Sequence, residues 1–235
     1  NYFNNIFGDG ISLNAQLSVN NLVTENTLLN FKGKLRSWGG TGLFSRAIDV
    51  QDMSNGNNVV AFNFGSGLIS HIWLDRDGSN NIMLRNTATN SATVVFNESR
   101  CAFNIIQENI GYNLRGPAFE TARYETTGST FDGRWVNNVA YNCNTGFYMH
   151  KSHRNELRNN IVYNSTSLNL VFTDTAFLNG PHIFKNNLWL TESKPNSIEF
   201  RGVATTVPAF QAAIGEVNGL SVNPLFKNVA AGSED

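Results

Sequence analysis

Two acidic side chains stand at matching positions of a repeated pattern. Asp75 ends the segment WLD, and Glu98 ends the segment FNE one repeat later. The surrounding pattern recurs at the same interval, because NIMLRN, which begins at Asn81, is followed by NIIQEN, which begins at Asn104. Carboxylates serve as general acids, general bases and nucleophiles. This pair is therefore the first candidate for chemistry in the chain.

Stacking of the two acids on adjacent turns of a repeat would leave them about 4.8 Å apart. At that distance one carboxyl stays protonated or a cation lies between the two. Retaining glycosidases use such a pair, with carboxyls about 5–5.5 Å apart, as nucleophile and acid/base. The sequence is therefore compatible with a retaining glycoside hydrolase.

Two other interpretations stay open at this point. Clustered carboxylates also bind calcium, which would fit a polysaccharide lyase acting on a uronate-containing polymer, with Lys151, Arg154 or a His as proton-abstracting base. Alternatively, the acids form an exposed ladder paired with Arg76, Arg100 or Arg123 in a non-catalytic glycan-binding or tailspike-like protein. No cofactor is required by the hydrolase interpretation, and Ca²⁺ is possible in the lyase interpretation.

The elements that position these acids follow from a repeat. Pairs of Asn followed by an apolar run recur along the chain, and the second Asn lies at positions 58, 81, 104, 138, 160 and 187. Successive positions in this series are separated by 23, 23, 34, 22 and 27. Such a period is typical of a solenoid. The apolar runs are short and rich in Val, Ile, Phe and Tyr, which favours strands, and Asn favours tight, left-handed turns.

The sequence therefore predicts an all-β fold, a right-handed parallel β-helix with about 22–23 residues per coil and a ladder of stacked Asn side chains. We expect one domain over residues 1–235, with a C-terminal capping segment over residues 205–228 that contains a short helix at Val207–Ile214. The N-terminal end has no comparable cap. We expect the chain to be a fragment, or a second chain or segment to cover that end.

Counting from the Asn positions assigns the neighbours of the acids. Asp75 falls beside Glu98, and Glu120 falls one coil further on, in the column of Leu74 and Asn97. Two long stretches, Phe31–Gly56 and Ala122–Trp135, interrupt the period and predict loops. The second, which follows Glu120, is expected to shape a cleft, whereas the first either shapes a cleft or only decorates the surface. Trp135 and Trp189 could also stack on sugar rings, although Trp189 in NNLWL suits a core position. The predicted substrate-binding residues are Trp73, Glu120, Arg123, His150, Lys151 and Arg154.

Composition excludes several classes of protein. The formal net charge is −1 and charged residues make up 15% of the chain, so no basic surface for nucleic acid is indicated. No apolar run approaches the roughly 20 residues that span a bilayer. The two cysteines, Cys101 and Cys143, are expected to be buried rather than bridged. An oligo- or polysaccharide is the expected partner, and a secreted or periplasmic location is expected.

The segment IWLDRDG…TVVFNESRCAFNIIQEN resembles the catalytic stretch of β-helical glycoside hydrolases, and it is most similar to the β-xylosidases of glycoside hydrolase family 120. In that family a Trp-Leu-Asp strand is followed one coil later by a strand that ends in Glu. The resemblance covers about 40 of the 235 residues. It implies that Asp75 is the nucleophile and Glu98 the acid/base of a retaining mechanism.

Overall fold

Short strands make up nearly all of the regular structure. The computed structural model describes residues 1–6, 9–14, 19–31, 34–35, 43–44, 46–51, 56–74, 78–97, 100–121, 130–173, 181–194, 197–222 and 224. Within these ranges most strands are three to five residues long, and one helix, α1 (Val207–Ile214), lies near the C-terminal end. The predictions of an all-β fold and of this helix are confirmed.

The strands, in chain order, are β1 (Tyr2–Asn4), β2 (Ile11–Asn14), β3 (Leu22–Thr24), β4 (Thr27–Leu29), β5 (Lys34–Leu35), β6 (Leu43–Phe44), β7 (Arg46–Gln51), β8 (Val59–Ala61), β9 (Phe64–Ser66), β10 (Ser70–Leu74), β11 (Ile82–Leu84), β12 (Thr87–Thr89), β13 (Val95–Asn97), β14 (Ile105–Gln107), β15 (Ile110–Tyr112), β16 (Pro117–Thr121), β17 (Thr130–Phe131), β18 (Arg134–Val136), β19 (Val139–Tyr141), β20 (Thr145–Met149), β21 (Ser152–His153), β22 (Glu156–Arg158), β23 (Ile161–Tyr163), β24 (Leu168–Phe172), β25 (Ile183–Lys185), β26 (Leu188–Leu190), β27 (Ile198–Phe200) and β28 (Val203–Thr205).

Three long sheets form the walls of a parallel β-helix. The eight-stranded sheet has the order β1-β4-β9-β12-β15-β19-β23-β26, the nine-stranded sheet β2-β7-β10-β13-β16-β20-β24-β27-β28, and the seven-stranded sheet β3-β8-β11-β14-β18-β22-β25. Successive strands of the chain visit these sheets in turn, and all pairings within them are parallel except that of β27 with β28. Each residue of a coil therefore stacks on its equivalent in the next coil.

Asparagine makes the corners between sheets tight. In six Asn-Asn pairs the first Asn adopts a left-handed conformation, with φ between 53° and 64° at Asn20, Asn57, Asn80, Asn137, Asn159 and Asn186. Asn tolerates this region better than most residues because its short side chain bonds locally. One residue thus turns the chain, and the second Asn of the pair points into the solenoid.

The inward Asn residues form a ladder at the corner before the eight-stranded sheet. Its rungs are Asn1, Asn26, Asn63, Asn86, Asn109, Asn138, Asn160 and Asn187. The backbone N and Nδ2 of Asn86, for example, both donate to Oδ1 of Asn109 at 3.0 Å. Nδ2 of Asn86 also donates to the carbonyl of Val60 at 2.8 Å. The ladder satisfies corner amides that would otherwise be buried without partners.

A second ladder runs at the corner before the seven-stranded sheet, through Asn21, Asn58, Asn81 and Asn104. The sequence count merged the two ladders into one series. Asn104 belongs to one ladder and Asn138 to the other, so the longest interval in that series does not measure one coil. Asn109 and Asn138 are the true equivalents, 29 residues apart, against 23 for the preceding rung. The insertion is therefore shorter than the sequence suggested.

Stacked aromatic rings fill the interior of the central coils. The ring centroids of Phe119 and Phe147 are 4.8 Å apart, and Trp135 meets both rings edge-on. Trp189 also lies edge-on to Phe147. Trp135 and Trp189 are both fully buried. The core position of Trp189 is confirmed, whereas the suggestion that Trp135 could stack on a sugar is wrong. Cys101 and Cys143 are buried and unbridged, as expected.

The C-terminal segment closes the described solenoid. Thr206 caps α1 by accepting a hydrogen bond from the Ala209 N at 3.3 Å, and Phe210 packs against Phe184 and Phe200. Glu216 ends the Asn ladder, because its Oε1 accepts from Nδ2 of Asn187 at 2.8 Å. Among the described residues, no helix has the length and hydrophobicity needed to cross a bilayer.

Candidate functional site

One column of the nine-stranded sheet faces away from the core. Trp73 pairs with Phe96, Phe96 with Glu120, and Glu120 with Tyr148 on successive coils. Their sequence neighbours Ile72, Val95, Phe119 and Phe147 belong to the hydrophobic core. Side chains alternate between the two faces of a strand. The column that contains Trp73 and Glu120, hereafter the outer column, therefore lies on the outside of the solenoid.

The register corrects the predicted place of Glu120. Leu74 pairs with Asn97 on the next coil, and Asn97 pairs with Thr121 on the coil after that. The second of these steps along the chain is one residue longer than the first, whereas the count assumed equal steps. A slip of one residue moves a side chain to the other face. Glu120 consequently lies in the column of Trp73 rather than in that of Leu74 and Asn97, and fixed-period counting could not detect the extra residue.

The outer column is shielded from water although it lies outside the core. Trp73 is 5% exposed, Glu120 is 4% exposed and Asp49, which pairs with Trp73 on the preceding coil, is 1% exposed. Burying a carboxylate is costly unless charged or polar groups stabilise it. Polar side chains buried on the outside of a solenoid serve no purpose in filling the core, so they mark this face as a candidate site.

An ion pair fixes the beginning of the outer column. Nη1 of Arg46 binds Oδ2 of Asp49 at 2.7 Å, and both side chains are buried. The Arg46 guanidinium also lies 5.0 Å from the centre of the Trp73 ring, within cation–π distance. Arg46 on β7 thus restrains the ring of Trp73 on the neighbouring strand β10. Sequence reasoning missed Arg46 and Asp49, because both fall within Phe31–Gly56, for which the sequence predicts a loop.

His150 lies two residues beyond Tyr148, where β20 ends at the edge of the same sheet. Its backbone N donates to Oγ1 of Thr121 at 2.9 Å, and its Nδ1 lies 3.0 Å from Oγ1 of Thr173. The rings of Tyr148 and His150 are 6.3 Å apart. Partial burial, and to a lesser extent the neighbouring Lys151, lowers the pKa of His150. This shift of the pKa favours the neutral imidazole.

Tyr148 and Thr173 are further residues that sequence reasoning missed. Tyr148 occupies the outer column one coil after Glu120 and is half-buried. The correct register would have found it, because it places an aromatic phenol beside a buried acid. Together, Glu120, Tyr148, His150 and Thr173 form a polar cluster on the outside of three adjacent coils.

Arg154 occupies the next corner. It follows β21, adopts a left-handed conformation with φ of 52°, and binds Asp132 through Nε and Nη2 at 2.8 and 2.7 Å. Its guanidinium also lies 5.5 Å from the centre of the Phe131 ring. The adjacent Lys151 has a left-handed φ of 41° and is half-buried. The structure thus places Arg154 in an ion pair on a short two-stranded sheet, formed by β17 and β21, beside the edge that carries His150.

Three of the predicted residues, Asp75, Glu98 and Arg123, lie outside the described residues. The described chain ends β10 at Leu74 and β13 at Asn97, one residue before each predicted acid. Across the described ranges, no group of three or more His, Cys, Asp or Glu side chains is arranged to hold a metal ion.

Neither a protein-family model nor a curated protein sequence matches this chain. Among solved structures, the chain is similar to the catalytic domain of a GH87 alpha-1,3-glucanase variant in complex with nigerose. The TM-score is 0.52 at 11% sequence identity, and the similarity covers 80% of this chain and 40% of the glucanase chain. The chain thus matches less than half the length of that structure. At this identity the similarity concerns the fold alone.

Proposed function

We propose that this protein is a carbohydrate-active enzyme, a retaining glycoside hydrolase in which Asp75 is the nucleophile and Glu98 the general acid/base. The observation that carries the proposal is the outer column, where Trp73 and Glu120 are withdrawn from water on the outside of the solenoid and the half-buried Tyr148 follows on the next coil. Buried carboxylates beside aromatic rings suit the binding of sugars, whose faces are apolar and whose edges carry hydroxyls.

The sequence positions of the two acids support their assignment to this site. Asp75 is two residues beyond Trp73, and Glu98 is two residues beyond Phe96. His150 stands at the same offset from Tyr148, and Tyr148 shares the outer column with Trp73 and Phe96. We infer that both acids follow the outer column on adjacent coils, which would separate them by about 4.8 Å. That separation is close to the roughly 5–5.5 Å of retaining enzymes.

The remaining predicted residues would bind the substrate or orient the acids. Glu120 and His150 would accept or donate hydrogen bonds to sugar hydroxyls. Trp73 is buried and contacts Arg46, so it would line the site and would not offer an open face for stacking on a sugar ring. Arg123 and Lys151 would line the rim. Arg154 would act as part of its ion pair with Asp132. The substrate would be an oligo- or polysaccharide met in a secreted or periplasmic setting.

A glycoside hydrolase catalytic domain with a similar fold, solved in complex with nigerose, supports a carbohydrate as the substrate class. One described feature favours a second candidate, a polysaccharide lyase acting on a uronate-containing polymer. His150, whose pKa is lowered by partial burial and by Lys151, stands next to Lys151, an arrangement that suits abstraction of a proton next to a sugar carboxylate. Calcium held by Asp75 and Glu98 would then neutralise that carboxylate.

A glycan screen with matched variants tests the proposal. Asp75→Asn should lower kcat on the cognate glycan by about 1,000-fold or more, because it removes the nucleophile. Glu98→Gln should impair natural glycans far more than activated aryl glycosides, whose leaving groups need no protonation. Glu108→Gln is the matched control, because Glu108 is half-exposed and paired with Arg85 in the turn after β14.

Each alternative gives its own result in the same screen. A lyase would release products with a double bond that absorbs in the ultraviolet, and chelation of calcium would abolish its activity. A non-catalytic glycan-binding β-helix would retain affinity in every variant and turn over no substrate. Unchanged turnover in both Asp75→Asn and Glu98→Gln would contradict the proposed carboxylate pair.

A further inference from the structure

His150 is held by both neighbouring coils. On the preceding coil, Oγ1 of Thr121 accepts from the His150 N and donates to the His150 carbonyl oxygen, each at 2.9 Å. On the following coil, Oγ1 of Thr173 lies 3.0 Å from Nδ1 of the ring. One threonine thus fixes the backbone of His150, and the other fixes its imidazole.

This arrangement is not needed to build the sheet. Backbone pairing already joins β20 to β24, and the core side of β20 is filled by Phe147 and Met149. His150 instead lies on the outside and is half-buried. Ordering a side chain that contributes no core packing costs conformational entropy. A ring that is nevertheless fixed in one orientation suits a residue that must meet a ligand in a set geometry.

We propose that Thr173 is a positioning residue that selects the orientation and the tautomer of His150, so that Nε2 meets the substrate in a single hydrogen-bonding state. This inference rests on the proposed function. A neutral imidazole carries one N–H, so a hydrogen bond at Nδ1 decides whether Nε2 donates or accepts. Nε2 donates when Nδ1 accepts from the Thr173 hydroxyl and accepts when Nδ1 donates to it, so the direction of this bond sets the state of Nε2.

The test is nuclear magnetic resonance of the His150 ring nitrogens, in the intact protein with labelled histidine. The wild-type protein should show one dominant tautomer. Thr173→Val preserves the shape of the side chain but removes the hydroxyl, and should shift the ring towards a tautomer mixture. Thr173→Ser restores a hydroxyl and should restore the wild-type spectrum. Thr191→Val is the matched control, because Thr191 donates to Asn169 at 2.8 Å and makes no contact with His150 among the described residues.

Activity provides the second readout. Thr173→Val should lower kcat/KM about five- to tenfold, the loss expected for one hydrogen bond, and Thr173→Ser should recover most of it. Identical ring-nitrogen spectra in the wild-type protein and Thr173→Val would overturn the inference. So would a loss of activity that Thr173→Ser fails to rescue while the variant remains folded. The spectra decide the role of Thr173 even if no glycan is turned over. A failure of the proposed function can therefore be distinguished from a failure of the inference about Thr173.

Discussion

At the scale of single residues, His71 combines full burial with an ionisable ring. Its side chain is 0% exposed, and neither ring nitrogen has a hydrogen-bond partner among the described residues. The space that it occupies depends on Gly65, since a Cβ there would lie 3.0 Å from the ring. Burial lowers the pKa of His71 from 6.5 to about 3. The imidazole is therefore neutral in the folded protein under all ordinary conditions.

His71 should make the protein sensitive to acid. Below pH 6.5 the unfolded chain binds a proton at His71 that the folded chain rejects until about pH 3, so stability falls as the pH is lowered through this window. Two pH units below the unfolded pKa, this loss amounts to about 2–3 kcal/mol.

Chemical denaturation over this pH range, compared between the wild-type protein and His71→Leu, measures the effect. The unfolding free energy of the wild-type protein minus that of His71→Leu should fall by about 2–3 kcal/mol on going from pH about 7.5 to about 4.5. The comparison at the higher pH is the control, because His71 is neutral in both the folded and the unfolded chain there and the two proteins differ only in packing. A difference independent of pH would contradict the assignment.

At the scale of elements, the Asn ladders hold the coils in register. Asn109 accepts from the backbone N and Nδ2 of Asn86, and its own Nδ2 donates to Met83 and Asn138. Asn109→Ala removes these contacts and leaves buried groups without partners. It should lower the unfolding free energy by about 2–5 kcal/mol.

Thermal or denaturant unfolding measures this loss. Asn137→Gly is the matched control, because Asn137 is exposed, has φ of 56° and lies beside the ladder rather than in it. Glycine tolerates that conformation, so this variant should stay within about 0.5 kcal/mol of the wild-type protein. Equal losses in the two variants would show that the corners, and not the ladder, carry the stability.

The elements also show how far the sequence predicts the fold. The short apolar runs and the Asn-Asn pairs predict strands, left-handed corners and stacked amides, because each property follows from local chemistry. The two ladders could not be separated in this way, since Asn104 and Asn138 look alike in sequence but stand at different corners. The place of Glu120 was wrong for a related reason. A single extra residue in one coil changes the face that a side chain occupies, and only strand pairing reveals it.

At the scale of the whole molecule, residues that are one coil apart in sequence stack on one another and form columns of side chains. Core residues stack inside, and the outer column of the nine-stranded sheet brings together Trp73, Glu120 and Tyr148 from coils that are far apart in sequence. The sequence predicted Trp73, Glu120 and His150 as site residues, and these stay predictions. It could not predict Asp49, Tyr148 or Thr173, because their roles depend on neighbours one coil away.

The stereochemistry of hydrolysis distinguishes the proposed retaining mechanism from an inverting one. The anomeric form of the first-formed sugar can be followed by proton nuclear magnetic resonance during cleavage of the cognate glycan. If Asp75 and Glu98 stack on adjacent coils as proposed, their carboxyls are about 5 Å apart and leave no room for a water to attack the sugar from between them, so we expect a product that retains the configuration of the cleaved bond. A first-formed product of inverted configuration would contradict the assignment of Asp75 as the nucleophile.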